Sequence, residues 1–280
     1  MTIRNIRQVI EPKIVIEGAG VRLRRSISPN RTNIFDPFLL FDHFIFDYPI
    51  EGPISGFPMH PHRGIETVTY MLAGSTHHRD SLGNSGTIGP GDIQWMTSGR
   101  GILHEEMPRQ DKDGRVNGFQ LWVNLPKSRK MVPPQYQEVN SQSIPQINHI
   151  GFHIKLIAGK IESTEGPITD ISANPLYIDL SLDSHSTFTQ NTPNEDTVFA
   201  YIFEGRCSFS KDGEIVQATK LVHLDRGKQV KIYSDTGVRL ILVSGTPFGE
   251  PIAPYGPFVM NTQEEIKQAL KDLREGTFVK

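Results

Sequence analysis

Two stretches of similar character lie in the two halves of the chain: VTYMLAG at residues 68–74 and VFAYIFEG at residues 198–205. Each is a short run of β-branched and aromatic residues that ends on glycine, the composition of a β-strand followed by a turn. Similar runs recur from KIVIEG at 13–18 to RLILVSG at 239–245, separated by turn signals such as Asp113–Gly114. We therefore predict an all-β protein built from many short strands.

The length and the internal similarity favour two domains. A chain of 280 residues is long for one domain, and the two similar stretches indicate that its halves share one plan. Residues 125–147 are polar and proline-rich, which is typical of a domain boundary. We place an N-terminal domain at 1–132 and a C-terminal domain at 133–280, and the strand spacing suits a barrel or a sandwich, with two β-barrels of similar plan as the prediction.

One helix is predicted near the C-terminus. Thr262 and Glu265 have the spacing of a capping box, and apolar residues follow at helical intervals, beginning with Ile266. Gly276 is placed to end the helix.

The composition excludes several classes of function. The 29 basic and 31 acidic residues give a net charge of -2, so the chain has no overall field that attracts nucleic acid or an anionic membrane surface. The single cysteine excludes an intrachain disulfide and fits a reducing compartment. No apolar run reaches the roughly 18 residues of a membrane span. We expect a cytoplasmic protein, or a nuclear one if the source is eukaryotic, with no membrane or direct nucleic-acid partner.

Two pairs of side chains in the N-terminal half have the spacing of a metal site. His60 and His62 are two residues apart, and so are His104 and Glu106. In an extended strand such residues leave the same face, with Cα atoms about 6 to 7 Å apart, so both can reach one ion. Three imidazoles and a carboxylate form a nitrogen and oxygen donor set suited to a transition metal. The N-terminal domain is therefore predicted to bind metal, with open positions for water, oxygen or substrate.

Other residues compete for these roles. Glu105 would leave the opposite face of the strand from His104 and is disfavoured, whereas strand alternation does not exclude Glu66 as a ligand. His77 and His78 lie in the turn-rich stretch STHHRDSLGNSG and are interpreted as exposed polar residues. Cys207 has no base near it in sequence and is interpreted as a packing thiol.

The C-terminal domain is predicted to lack metal ligands. His62 precedes the strand-ending Gly74 by 12 residues, and the same count back from Gly205 reaches Pro193. The partner position two residues earlier is Asn191, so neither place holds an imidazole.

Several segments together resemble the pirin family, whose members are bicupins. The resemblance implies two jelly-roll-like β-barrel domains. The resemblance is carried by DPFLLFDHF at 36–44, GFPMHPHRGIETVTYML at 56–72, PGDIQWMTSGRGILHEEMP at 90–108, GFQLWVNLP at 118–126 and GEPIAPYGPFVMN at 249–261. It implies that His60, His62, His104 and Glu106 are the metal ligands. It also favours Glu106 over Glu66, because in this family the carboxylate follows the late histidine by two residues. His43 stands where the family pattern has an acidic residue.

The resemblance implies two alternative functions. One is a quercetin 2,3-dioxygenase, in which a single divalent metal serves the opening of a flavonol ring by O2 and Glu106 accepts the flavonol proton. Iron(II) is the metal implied, although Mn, Ni, Cu or Co also suit the ligands. The other is an iron-binding regulatory protein that acts through a protein partner, as a transcription cofactor or a modulator of a metabolic enzyme. We expect a monomer.

Overall fold

Strands dominate the computed structural model, which describes residues 2–46 and 56–279. The prediction of an all-β, jelly-roll-like protein with a short C-terminal helix is confirmed. Within the described residues, no helix has the length and apolarity needed to cross a membrane.

The chain forms two compact units. The histidine unit consists of Lys13–Ser141 and Phe248–Lys280, and the apolar unit consists of Met1–Pro12 and Gln142–Pro247. Each unit combines one end of the chain with a distant internal segment, so the two units are not consecutive stretches of sequence. The predicted division after residue 132 stays a prediction. The histidine unit extends past it because residues 135–139 form a strand that pairs with Ile93–Thr97.

The histidine unit is built from two sheets, a hairpin and a helix, with strands numbered along the whole chain. The elements are β2 (Lys13–Glu17), β3 (Val21–Ile27), β4 (Phe38–Phe46), β5 (Phe57–His62), β6 (Ile65–Ala73), β7 (Ser75–Asp80), β8 (Ser85–Ile88), β9 (Ile93–Thr97), β10 (Ile102–Arg109), β11 (Val116–Asn124), β12 (Gln135–Val139), β24 (Ala253–Tyr255), β25 (Phe258–Met260), α1 (Gln263–Arg274) and a 3-10 turn (Lys127–Arg129). One sheet has the order β12-β9-β6-β11-β4-β3-β2, the other has the order β5-β10-β7-β8, and β24 pairs with β25.

The apolar unit is named for its core. The elements are β1 (Ile6–Ile10), β13 (Gln146–His149), β14 (Phe152–Ala158), β15 (Lys160–Ile161), β16 (Thr164–Glu165), β17 (Leu176–Leu182), β18 (Ser186–Asn191), β19 (Thr197–Cys207), β20 (Val216–Gln217), β21 (Lys220–Leu224), β22 (Gln229–Ser234) and β23 (Val238–Gly245), and a 3-10 turn spans Ser141–Ser143. The main sheet runs β1-β21-β19-β23-β17-β14-β13, and β18 pairs with β22. Aliphatic side chains such as Leu156, Leu180 and Ile232 fill its interior, because alternate residues of each strand point inward.

The C-terminal helix is attached to the strand that carries the first histidine pair. The predicted capping box is present, since Thr262 accepts a hydrogen bond from the Glu265 backbone and Glu265 accepts one from the Thr262 backbone. Arg63, directly after β5, forms an ion pair of 2.7 Å with Asp272 of α1. The Arg63 guanidinium also lies 4.3 Å from the centre of the Phe278 ring. The helix therefore braces the end of β5.

Replacing Lys130 with methionine is expected to destabilise the histidine unit by about 3 kcal/mol. The buried ammonium donates hydrogen bonds to Gly64 O at 2.8 Å, and to Asn124 Oδ1 and Val259 O at 2.7 Å. Methionine fills the same space but leaves these buried acceptors without a donor. Chemical denaturation measures the loss, and the exposed Lys127 supplies the matched control, Lys127→Met. Equal stability of the two variants would contradict this role.

The stability of the protein is expected to fall as the pH drops below 6.5, partly because of His43. Burial lowers the pKa of His43 from 6.5 to about 4, so below pH 6.5 the unfolded chain gains a proton that the folded chain excludes. This residue then removes about 1.4 kcal/mol of stability per pH unit until the pH reaches about 4. His43→Gln can keep the polar contact with Asn117 but does not titrate. Denaturation curves of both proteins from pH 7 to 4 should diverge, and parallel curves would contradict the assignment.

Candidate metal centre

The structure brings three of the four predicted ligands together. Each of His60, His62 and His104 offers one ring nitrogen, and these three atoms lie within 4.8 Å of one another. Neighbouring strands place them, because β5 and β10 pair with His60 opposite His104 and with His62 opposite Ile102. The alternation predicted from the i, i+2 spacing holds on β10, where His104 and Glu106 are buried and Glu105 faces the other side.

The hydrogen bonds of His60 and His62 turn their Nε2 atoms toward each other. The Nδ1 atom of His60 lies 2.9 Å from Pro58 O, and that of His62 lies 3.3 Å from Pro257 O. A carbonyl oxygen only accepts, so both Nδ1 atoms donate, and Nε2 is the nitrogen that each ring turns toward the other. The two Nε2 atoms are 3.0 Å apart. Two nitrogen ligands about 2.1 Å from one ion and at right angles lie about 3.0 Å apart, so the pair fits a shared metal.

His104 is a buried histidine whose ring nitrogens are available to bind a metal. The side chain is 1% exposed, and neither ring nitrogen has a hydrogen-bond partner within the described part of the chain. Burial, assisted by the neighbouring histidines, lowers the pKa of His104 and that of His62 well below the usual value. Both rings are therefore neutral at pH 7, which is the form that binds a metal.

Glu106, the fourth predicted ligand, lies on β10 beside His104 but outside the group of nitrogens within 4.8 Å. Its Oε1 accepts hydrogen bonds from Thr69 and Gln120, and its Oε2 accepts one from Gln120. Glu106 and two of the histidines, His60 and His62, line the same cleft. Its place in the ligand set is therefore a proposal.

The rival carboxylates have other partners. Glu105 pairs with Arg79 on the outer side of the sheet. Glu66 accepts a hydrogen bond of 2.9 Å from Thr97 on β9. On β6, Glu66 and Thr69 differ in parity and so leave opposite faces, and Thr69 is the residue that contacts Glu106. Strand geometry thus favours Glu106 over Glu66.

A cleft of about 540 Å³ opens beside the histidines. Its apolar wall is formed by flat or rigid side chains, namely Pro29, Leu40, Phe57, Trp122, Pro254 and Pro257. Its polar residues include Arg25 and Asp42, joined by two hydrogen bonds of 2.9 and 2.8 Å. A cleft of this volume, with an apolar wall beside polar groups, is typical of a small-molecule site.

The interpretation of His78 as an exposed residue is wrong. The stretch around it forms β7, which pairs with β10 so that His78 lies opposite Glu106. His78 is 1% exposed, stacks on Tyr136 and lies 2.9 Å from a carboxylate oxygen of Glu138. The strand was missed because its alternate residues are polar on both faces. Gln120 was also missed, although its position two residues before Trp122 places both on one strand face.

His43 and Cys207 lie outside the histidine group. His43 packs against Phe119 with ring centres 4.7 Å apart, and alternation on β4 points it away from Asp42 and the cleft. Cys207 lies in the core of the apolar unit, and burial raises the pKa of its thiol to about 12. It is a packing thiol, as predicted. The absence of metal ligands from the C-terminal domain stays a prediction.

Comparison with known proteins shows the family. Residues 20–123 match the pirin family model, and residues 177–279 match the model of the pirin C-terminal cupin domain. A pirin-like protein of Caulobacter vibrioides is 42% identical over 280 residues, covering 99% of this chain and all of its own. A Pseudomonas aeruginosa protein named as a candidate quercetin 2,3-dioxygenase is 41% identical, with 93% of both chains covered. The crystal structure of quercetin 2,3-dioxygenase from Acinetobacter baumannii superimposes with a TM-score of 0.90 at 32% identity, covering 99% of this chain and 98% of its own. The chain belongs to the pirin family.

Proposed function

We propose that the protein is a metal-dependent dioxygenase of the quercetin 2,3-dioxygenase type. It opens the ring of a flavonol-like substrate with O2. The ligands in this proposal are His60, His62, His104 and Glu106, and the metal is iron(II). The observation that carries the proposal is that His60, His62 and His104 each bring a ring nitrogen within 4.8 Å of the others, and that His60 and His62 line a cleft with a partly apolar wall.

The cleft supports a flat aromatic substrate. Phe57 and Trp122 offer ring surfaces, and the proline and leucine side chains of the wall exclude water from one side of the cleft. Asp42 and Arg25 add hydrogen-bonding groups to this mostly apolar lining. A polyphenol, which combines ring faces with hydroxyl groups at its edges, has the complementary chemistry.

Each group in the site has a separate role in the proposed reaction. A bound divalent metal supplies Lewis acidity, which lowers the pKa of a hydroxyl that binds to it. Pro58 O and Pro257 O hold His60 and His62 in the tautomer that presents Nε2. Glu106 accepts the proton that leaves the 3-hydroxyl of the flavonol, because it is the buried carboxylate of the cleft that lies two residues from His104 on β10.

The single thiol bears on the compartment. Cys207 is a buried free thiol, and a free thiol is stable in a reducing compartment. This supports our proposal that the protein acts in the cytoplasm.

Oxygen consumption tests the proposed activity. Protein loaded with iron(II) under nitrogen is mixed with quercetin and air-saturated buffer, and both O2 uptake and carbon monoxide release are recorded. We expect quercetin-dependent uptake with carbon monoxide formation, and none from metal-free protein. Protein with one metal per chain that neither consumes O2 nor releases carbon monoxide with quercetin would refute the dioxygenase proposal.

A further inference from the structure

The carboxylate of Glu106 is fixed by donors from the facing sheet. Thr69 Oγ1 donates to Oε1 at 3.1 Å, and Gln120 Nε2 lies 3.2 Å from Oε1 and 3.1 Å from Oε2. Thr69 and Gln120 are directly opposite each other in the β6–β11 ladder, so one cross-strand pair supplies both donors. Glu106 itself is 4% exposed and Thr69 is 2% exposed, which makes these contacts strong and costly to lose.

Trp122 sets the orientation of the Gln120 amide. The indole nitrogen of Trp122 donates to Gln120 Oε1 at 3.1 Å. An indole N–H only donates, so the amide must turn its oxygen toward Trp122 and its NH2 toward Glu106. The two residues share one face of β11 because they are two positions apart. The reversed amide would place its oxygen against a carboxylate and lose both contacts.

We propose that Gln120, oriented by Trp122, is a positioning residue that makes Glu106 a single-oxygen metal ligand. An ionised carboxylate has about four lone-pair sites. Thr69 and Gln120 occupy both sites of Oε1, and Gln120 occupies one of Oε2. One lone pair, on Oε2, is left for the metal. This inference rests on the proposed ligand role of Glu106 and adds the residues that determine how it binds.

Coordination through one oxygen has a consequence for the proposed reaction. A carboxylate held by Thr69 and Gln120 would meet a bound metal through Oε2 alone and would keep a fixed orientation toward a substrate hydroxyl. Trp122 also lies edge-on to His62, with ring centres 5.1 Å apart, and lines the cleft. A substrate in contact with Trp122 therefore touches the residue that orients Gln120.

A double-mutant cycle tests this coupling. The dissociation constant for cobalt(II) and the absorption spectrum of the cobalt protein are measured for wild type, Gln120→Leu, Glu106→Gln and the double variant. Gln120→Leu should weaken cobalt binding about 10- to 100-fold, the effect typical of an outer-shell partner, and should change the spectrum. The double variant should bind cobalt as Glu106→Gln does, because the effect of Gln120 passes through Glu106.

Matched variants separate positioning from packing. Thr69→Val should weaken cobalt binding and Thr67→Val should not, since Thr67 lies on the same face of β6 and has no hydrogen bond to Glu106 among the described residues. Trp122→Phe, which keeps the ring but frees the amide, should reproduce part of the Gln120→Leu effect. If Gln120→Leu does not fold, the Thr69 and Trp122 variants carry the test.

The outcomes distinguish this inference from the proposal on which it rests. Unchanged cobalt affinity and spectrum in Glu106→Gln would remove Glu106 from the ligand set and overturn both. A clear effect of Glu106→Gln together with independent, additive effects of Gln120→Leu would overturn the positioning role alone and leave the ligand assignment intact.

Discussion

Replacing His104 with alanine is expected to remove nearly all bound metal. His104 is the most enclosed of the three histidines, and its ring nitrogens have no hydrogen-bond partner in the described structure. Its loss removes a nitrogen ligand of the metal, and a water molecule replaces such a ligand only weakly. Since loss of an outer-shell partner already costs about 10- to 100-fold in metal affinity, we expect more than about 100-fold for this ligand.

Metal content per chain, determined by atomic emission after loading under nitrogen and dialysis, checks the His104→Ala result. His77→Ala is the matched control, because His77 lies on the neighbouring strand β7 with its ring near the exposed Thr87. The control should keep one metal per chain. Full occupancy of the His104→Ala protein would show that the histidine group is not the metal site.

Replacing Glu106 with glutamine is expected to lower quercetin-dependent O2 uptake more than metal loss explains. The carboxylate is proposed to serve both as a ligand and as the acceptor of the flavonol proton, and an amide performs only the first task, weakly. Loss of a general base typically costs about 10² to 10⁴ in rate. The rate per bound metal, obtained from O2 uptake and metal content on the same sample, should fall within that range.

Glu66→Gln is the matched control for Glu106→Gln. Both positions hold buried glutamates, yet Glu66 hydrogen-bonds to Thr97 on the face of β6 opposite Thr69. Its rate per bound metal should stay within a few-fold of wild type. The reverse ranking of the two variants would assign the carboxylate role to Glu66.

Local pattern predicted the strands that are rich in β-branched and aromatic residues and missed β7, which is polar on both faces. Runs such as FLLFDHFIF became β4, and the capping box at Thr262 begins α1 as expected. By contrast β7 has histidine, arginine and aspartate in its six residues, so hydrophobic alternation gave no signal. The assignment of residues 248–280 to the same unit as residues 13–141 could not be predicted either, because it depends on contacts between residues far apart in sequence, such as Arg63 with Asp272.

The candidate metal site was predictable to the extent that it follows strand periodicity. The i, i+2 spacing correctly placed His60 and His62 on one strand, but it did not predict that the strand with His104 pairs directly with theirs. The residue that orients His62 could not be predicted from the sequence. It is Pro257, whose carbonyl accepts from His62 Nδ1 and which lies 195 positions away along the chain. The hydrogen bonds that hold Glu106 likewise depend on the register between β6 and β11, which no local pattern specifies.

The position of the metal itself tests the central claim most directly. Crystals of the iron-loaded protein, measured on both sides of the iron absorption edge, should give one strong anomalous peak per chain. We predict that this peak lies at bonding distance, about 2.0 to 2.2 Å, from Nε2 of His60 and His62, a ring nitrogen of His104 and one oxygen of Glu106. A peak at any other group of residues, or no peak in protein that carries iron, would contradict the proposed centre.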